Sequence, residues 1–211
     1  MEADRLAAPR GEGPIPAPCG PPPAAVWPPP ASARPPPAGW TPPGREPALS
    51  STGLSAEVTD VANPRAWSLI VVHHSASQVG GAARFDQWHR AKGWDGVGYD
   101  FVIGNGTDTG DGAVETTFRW KEQRDGAHVK GWNGMAIGIC LVGNFDDTDP
   151  TPAQMDALRT LVRYLRGRFG IPRERVVGHG QLGATLCPGK RLSVRDVAAA
   201  TDPTPAAGRG P

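Results

Sequence analysis

Residues 178 to 190 read GHGQLGATLCPGK and place His179 and Cys187 eight positions apart, in a chain with only three cysteines and five histidines. Imidazole nitrogen and thiolate sulfur are the usual ligands of zinc, and a catalytic zinc site takes three protein ligands and leaves a fourth position to water. Glycines at 180, 183 and 189 let the backbone turn back so that both side chains reach one ion. His73 is the natural third ligand. It ends the aliphatic run Leu69 to Val72, and neighbouring strands bring their ends together however far apart they lie in sequence. His74 is adjacent, but strand side chains alternate between faces, so it is read as structural or substrate-contacting and not as a ligand. Taken alone, a histidine and a cysteine at this spacing are weak evidence, because a lone cysteine is more often a small buried hydrophobe.

The elements that must position these residues follow from local pattern. Leu69 to Val72 is too short and too β-branched for a helix and reads as a buried strand. AARFDQWHRAKG puts Phe85, Trp88 and His89 on one helical face and stops at Gly93. GYDFVIGNG and AVETTF predict two strands joined by a Gly- and Asp-rich loop, and MAIGICLVGNF predicts a second strongly apolar strand with Cys140 at its centre. In TPAQMDALRTLVRYLRGRFG, Thr151 and Gln154 form a capping box and Pro152 suits the first turn. Met155, Leu158, Leu161, Val162, Leu165 and Phe169 share a face before Gly170. A short strand at 175 to 177 precedes the opening loop, and a last helix starts at Ser193. The charge-dense RWKEQRD, 119 to 125, reads as a solvated loop. Strands alternating with helices give an α/β fold: a central mixed β-sheet flanked by helices on both faces, in a single domain.

Of 24 prolines, 16 fall in the first 50 residues, where neither helical nor strand periodicity is present. The expected organisation is a proline-rich disordered arm and linker over 1–58, carrying Trp27 and Trp40, a domain over 59–201, and a disordered tail over 202–211. With 22 basic and 21 acidic residues the formal charge is +1, which disfavours nucleic acid or an anionic membrane as a partner. No apolar stretch is long enough for a membrane span and no signal-peptide h-region is recognisable, so a soluble monomer is expected. Dispersed cysteines at 19, 140 and 187 do not form a disulfide framework.

Six segments in order, IVVHHSAS, WDGVGYDFVIG, DGAHVKGWN, AIGICLVGNF, TPAQMDALRTLV and GHGQLGATLCPGK, carry a resemblance to a known family. Over residues 66 to about 199 the chain resembles the zinc-dependent N-acetylmuramoyl-L-alanine amidases, which take in the phage lysozyme type and the peptidoglycan recognition proteins. The resemblance implies one Zn2+ on His73, His179 and Cys187, and a catalytic centre completed by Tyr99 and Thr185. It implies hydrolysis of the amide between the lactyl group of N-acetylmuramic acid and L-alanine, with peptidoglycan or a muropeptide as partner. His128 and Asn133 match positions bordering the family's substrate groove, although ordinary loop hydrogen bonding would equally account for both. One departure concerns Thr185, where the phage type carries lysine and the catalytic recognition proteins carry threonine. The Gly-Trp pair by which recognition proteins favour diaminopimelate stems is not identifiable, so stem specificity stays open.

Two other readings compete: a recognition module that binds muropeptides without cutting, and a cytoplasmic amidase recycling anhydro-muropeptides. Cys187 argues against both, since the first lacks the cysteine and the second ends its metal set with a carboxylate. Cys140 reads as core. Trp94 and Trp132 either stack on sugar rings or cap the core.

Overall fold

A computed structural model describes residues 53–201. The proline-rich arm, with Trp27 and Trp40, and the tail from 202 onward lie outside the described residues. The six residues of β1 (Leu69–His74) are all buried, as are the six of β4 (Ala136–Leu141), which lies parallel beside it. Such continuous aliphatic runs suit strands covered on both faces. On the other side β1 pairs in parallel with β5 (Val176–Gly178). Next to β4 lies β2 (Phe101–Ile103), also parallel, followed by the antiparallel edge strand β3 (Val114–Thr116). The sheet is therefore mixed, with order β3-β2-β4-β1-β5.

Alternation along β1 sorts the two faces. Ile70 and Val72 enter the large core with Ile137, Ile139, Leu141, Phe101 and Ile103, while Leu69 and Val71 pack on the opposite side with Val129 and Val177. The large core is closed by α4 (Pro152–Phe169) through Leu158, Leu161, Val162 and Leu165, and by α5 (Val194–Ala200) through Val194 and Val197. The capping box of α4 forms as its sequence predicts, with Gln154 N–H donating to Thr151 Oγ1 at 3.0 Å. Gln154 Nε2 also donates to Val142 O at 2.8 Å, which ties the start of the helix to the end of β4. Gly170, at φ 64°, supplies the left-handed cap that ends α4. On the opposite face α2 (Ala82–Ala91) buries Phe85 against Val97, Tyr99, Val102 and Cys140. Cys140 is thus core.

Two short helices depart from the expectations. The short helix α1 (Ala56–Thr59) spans the expected boundary between linker and domain, and Leu54 and Val58 are buried in the large core, so packing begins before residue 59. In addition, α3 (Phe118–Lys121) falls where a solvated loop is expected from the density of charge. Trp120 is fully buried against Phe101, with ring centroids 4.7 Å apart, and its indole N–H donates to Val58 O. Arg119 is buried because its guanidinium is satisfied by Val97 O, Asp125 O and the Asp95 carboxylate. A buried charge is tolerated when it is paired and hydrogen-bonded in this way.

Candidate metal centre

The carboxyl ends of β1 and β5 and the loop after β5 converge. His73 is the fifth residue of β1 and points to the α2 side of the sheet, where its ring lies 4.7 Å from that of His179 and 5.2 Å from that of Tyr99. His179 follows β5 directly. The loop returns through a backbone bond from Gly180 N–H to Cys187 O, 2.7 Å. Glycine is needed at 180 for space, since a Cβ there would lie 2.7 Å from Thr185 O. Gly189 supplies the one turn conformation here that other residues rarely adopt, at φ 93°.

One ligand atom each from His73, His179 and Cys187 lie within 4.8 Å of one another. The Cys187 Sγ to His73 Nδ1 distance is 3.6 Å. Tetrahedral zinc with its usual bond lengths to sulfur and nitrogen separates two such ligands by about 3.6 Å, so this donor set fits that ion. His73 and Cys187 are buried and His179 is half-buried, which leaves the cluster reachable from one side. Cys187 Sγ also accepts the backbone N–H of His74 at 3.4 Å, a contact that favours the thiolate.

Tyr99 is buried just before β2, with its carbonyl held by Thr117 Oγ1–H at 2.7 Å. Thr185 is half-buried on the loop, and its Oγ1 accepts Cys187 N–H at 3.2 Å. That bond uses an oxygen lone pair and leaves the hydroxyl hydrogen to donate elsewhere.

His74, His128 and Asn133, expected to contact substrate, are each engaged by neighbours within the fold. His74 is buried and turned to the large-core side, where Nδ1 accepts Phe145 N–H at 3.1 Å. Strand alternation turns its side chain to that face, while its backbone N–H reaches Cys187 Sγ. His128 has no exposed side-chain surface. Its Nδ1 lies 3.1 Å from His73 Nε2, behind the metal cluster and away from the open side. Burial first, then the neighbouring His73, hold its pKa well below the ordinary imidazole value, so it is neutral. Asn133 Oδ1 accepts the N–H groups of His128 and Val129, at 3.0 and 2.8 Å, and so shapes the loop that carries His128. Trp94 is 42% exposed and packs at a tilt against His89, ring centroids 4.6 Å apart, whereas Trp132 is half-buried against the Leu69 cluster. His89 is more buried than its place on the helix suggests, and its Nδ1 accepts Gly98 N–H.

A mixed α/β sheet with a two-histidine, one-cysteine cluster at the carboxyl ends of its central strands defines the class: an α/β domain whose donor atoms lie close enough together to bind a metal. Residues 63–190 match the family described as N-acetylmuramoyl-L-alanine amidase, and the chain belongs to that family. It is 35% identical over 129 residues to the endolysin of Enterobacteria phage K11, covering 57% of this chain and 80% of that protein. It is also 32% identical over 135 residues to peptidoglycan-recognition protein SC2 of Drosophila melanogaster, covering 59% and 70%. Among solved structures, the N-acetylmuramoyl-L-alanine amidase LysC from Clostridium intestinale superimposes with a TM-score of 0.57 at 32% identity, covering 63% of this chain and 83% of that one. The chain is accordingly an amidase acting on peptidoglycan.

Proposed function

We propose that the protein hydrolyses the lactyl-L-alanine amide of peptidoglycan with one zinc ion held by His73, His179 and Cys187. The observation that carries the reading is the convergence of those three donor atoms within 4.8 Å. When bound, zinc supplies a water whose pKa falls from about 15.7 to about 7 and a Lewis acid for the amide carbonyl.

The chain's own residues supply the rest. Tyr99, with its ring 5.2 Å from that of His73, accepts or orients the proton of the attacking water. Thr185 donates its hydroxyl hydrogen to the oxygen that gains charge as the amide carbon becomes tetrahedral. Backbone donation from His74 keeps the Cys187 sulfur in its ligating form. The bacterial cell wall is the site of action that the endolysin relatives suggest, and no described helix is long and apolar enough to cross a membrane.

Digestion of purified sacculi, with products identified by mass, tests this. Free stem peptides beginning at L-alanine, released by zinc-loaded protein and not after chelation, are the expected result. Binding without release would mark a recognition module, and undiminished release by metal-free protein would remove zinc from the reading.

A further inference from the structure

The two ring nitrogens of His73 point in opposite directions. Nδ1 is 3.6 Å from Cys187 Sγ, inside the donor cluster, and Nε2 is 3.1 Å from His128 Nδ1. Behind His128, its own Nε2 lies 3.3 Å from Ala136 O and 4.0 Å from Asp100 Oδ2. The geometry points to Asp100 and His128 as a buried pair of positioning residues that set the orientation and proton placement of His73 for metal binding. This rests on the reading of His73, His179 and Cys187 as a zinc site.

Proton placement is over-determined. With Nδ1 of His73 given to a metal, its single proton sits on Nε2 and donates to His128 Nδ1, which must then be bare. The His128 proton consequently sits on Nε2, where Ala136 O accepts it and the Asp100 carboxyl lies close by. One tautomer at each ring satisfies every contact, and the alternative sets two N–H groups or two lone pairs against each other.

The ring of His128 also has a slot made for it. A Cβ at Gly138 would lie 2.5 Å from His128 Cδ2, and one at Gly126 would also collide with the ring. These two glycines clear the space that the His128 imidazole occupies beside β4, next to His73.

Asp100 is the least expected member. Its side chain has no exposed surface; Oδ2 accepts Gly138 N–H at 2.7 Å, and Oδ1 has no hydrogen-bond partner among the described residues. A fully buried carboxyl with one unsatisfied oxygen costs stability, and an asparagine or an apolar side chain would serve folding better. Its carboxylate faces the outer nitrogen of His128, at a distance where attraction is electrostatic and not a hydrogen bond. Negative charge there strengthens His128 as an acceptor for His73 N–H and so raises the donor strength of Nδ1, as carboxylates behind ligating histidines do. It also offsets the single positive charge left when a dication binds one thiolate and two neutral imidazoles.

Zinc affinity of the full chain, measured at about pH 8, where Asp100 is ionised, by competition with a chromophoric chelator, tests the pair. Asp100→Asn keeps an oxygen for Gly138 N–H and removes only the charge, so a role confined to that bond leaves affinity unchanged. The expected result is about tenfold weaker zinc for Asp100→Asn and about 10- to 100-fold weaker for His128→Gln, with shifted Co2+ absorption bands in both. Nitrogen NMR of zinc-loaded wild type reads the tautomers without any variant: both His73 and His128 should carry the proton on Nε2, and a proton on Nδ1 of His128 overturns the inference. Unchanged affinity in both folded variants overturns it as well, while the zinc reading stands. Wild type that retains no zinc overturns both.

Discussion

Cys187 Sγ stands 3.6 Å from His73 Nδ1, across 114 positions of sequence. The contact exists because β1 and β5 are neighbours in the sheet and the loop after β5 folds back over their ends. Cys187→Ala removes the one anionic ligand while deleting only a single sulfur atom from the packing. Elemental analysis after desalting should fall from about one zinc per chain to almost none, with the circular dichroism of a folded domain retained. Full zinc occupancy in the variant would show that the cluster holds its metal another way.

Tyr99 separates chemistry from metal binding. It is 5% exposed, anchored through its carbonyl by Thr117 and packed between the His73 and Phe85 rings. Tyr99→Phe keeps those ring contacts and deletes only the hydroxyl. Zinc content should be unchanged and turnover on muropeptide should drop by about 100-fold or more, the usual contribution of a positioned proton-transfer group. Turnover at the wild-type level would place the proton transfer elsewhere.

Much of the fold was legible in the sequence wherever one physical signal dominated. Leu69–Val72 and the apolar run through Cys140 became the two central strands because six consecutive buried positions leave no other arrangement for so short a segment. The α4 helix was legible down to its capping box. The short helix α3 was not, since Trp120 is a single apolar signal among charges and Arg119 is buried only by virtue of partners at Asp95, Val97 and Asp125 that no local pattern reveals. The same limit applies to the site. Zinc chemistry named His179 and Cys187 from a loop, but the depth of His128 depends on Gly126 and Gly138 making room for its ring. Asp100 carries no signal in sequence at all: an aspartate inside GYDFVIG looks like a strand-edge residue until the sheet closes over it.

Burial pushes the carboxyl of Asp100 up from 3.8 to about 7, against the pull of Gly138 N–H and of the Arg119 and Arg65 guanidiniums. In the unfolded chain it ionises near its ordinary value, so between about pH 4 and about pH 7 only the folded state keeps the proton. Its contribution to stability is therefore fully present below about pH 4, is lost as pH rises through that window, and changes no further above about pH 8. Asp100→Asn cannot titrate. In metal-free protein, wild-type stability relative to this variant should fall by on the order of 2–3 kcal/mol between about pH 5 and about pH 8. Urea unfolding at the two pH values measures the change directly, and a difference that grows with pH would contradict the burial argument.

Thr185 tests whether a neutral hydroxyl does the work of charge stabilisation. Its oxygen already accepts Cys187 N–H at 3.2 Å, which orients the side chain within the loop. Thr185→Val keeps the shape and loses both functions of the hydroxyl. The expected outcome is a fall in kcat of about 100-fold with KM little changed, because a donor to a developing oxyanion acts in the transition state and not in the bound substrate. Thr185→Ser restores the hydroxyl without the methyl group and should recover most of the rate. If Ser depresses turnover while Val does not, the methyl contact matters and the hydroxyl does not; if Val raises KM instead, Thr185 binds substrate before any charge has formed.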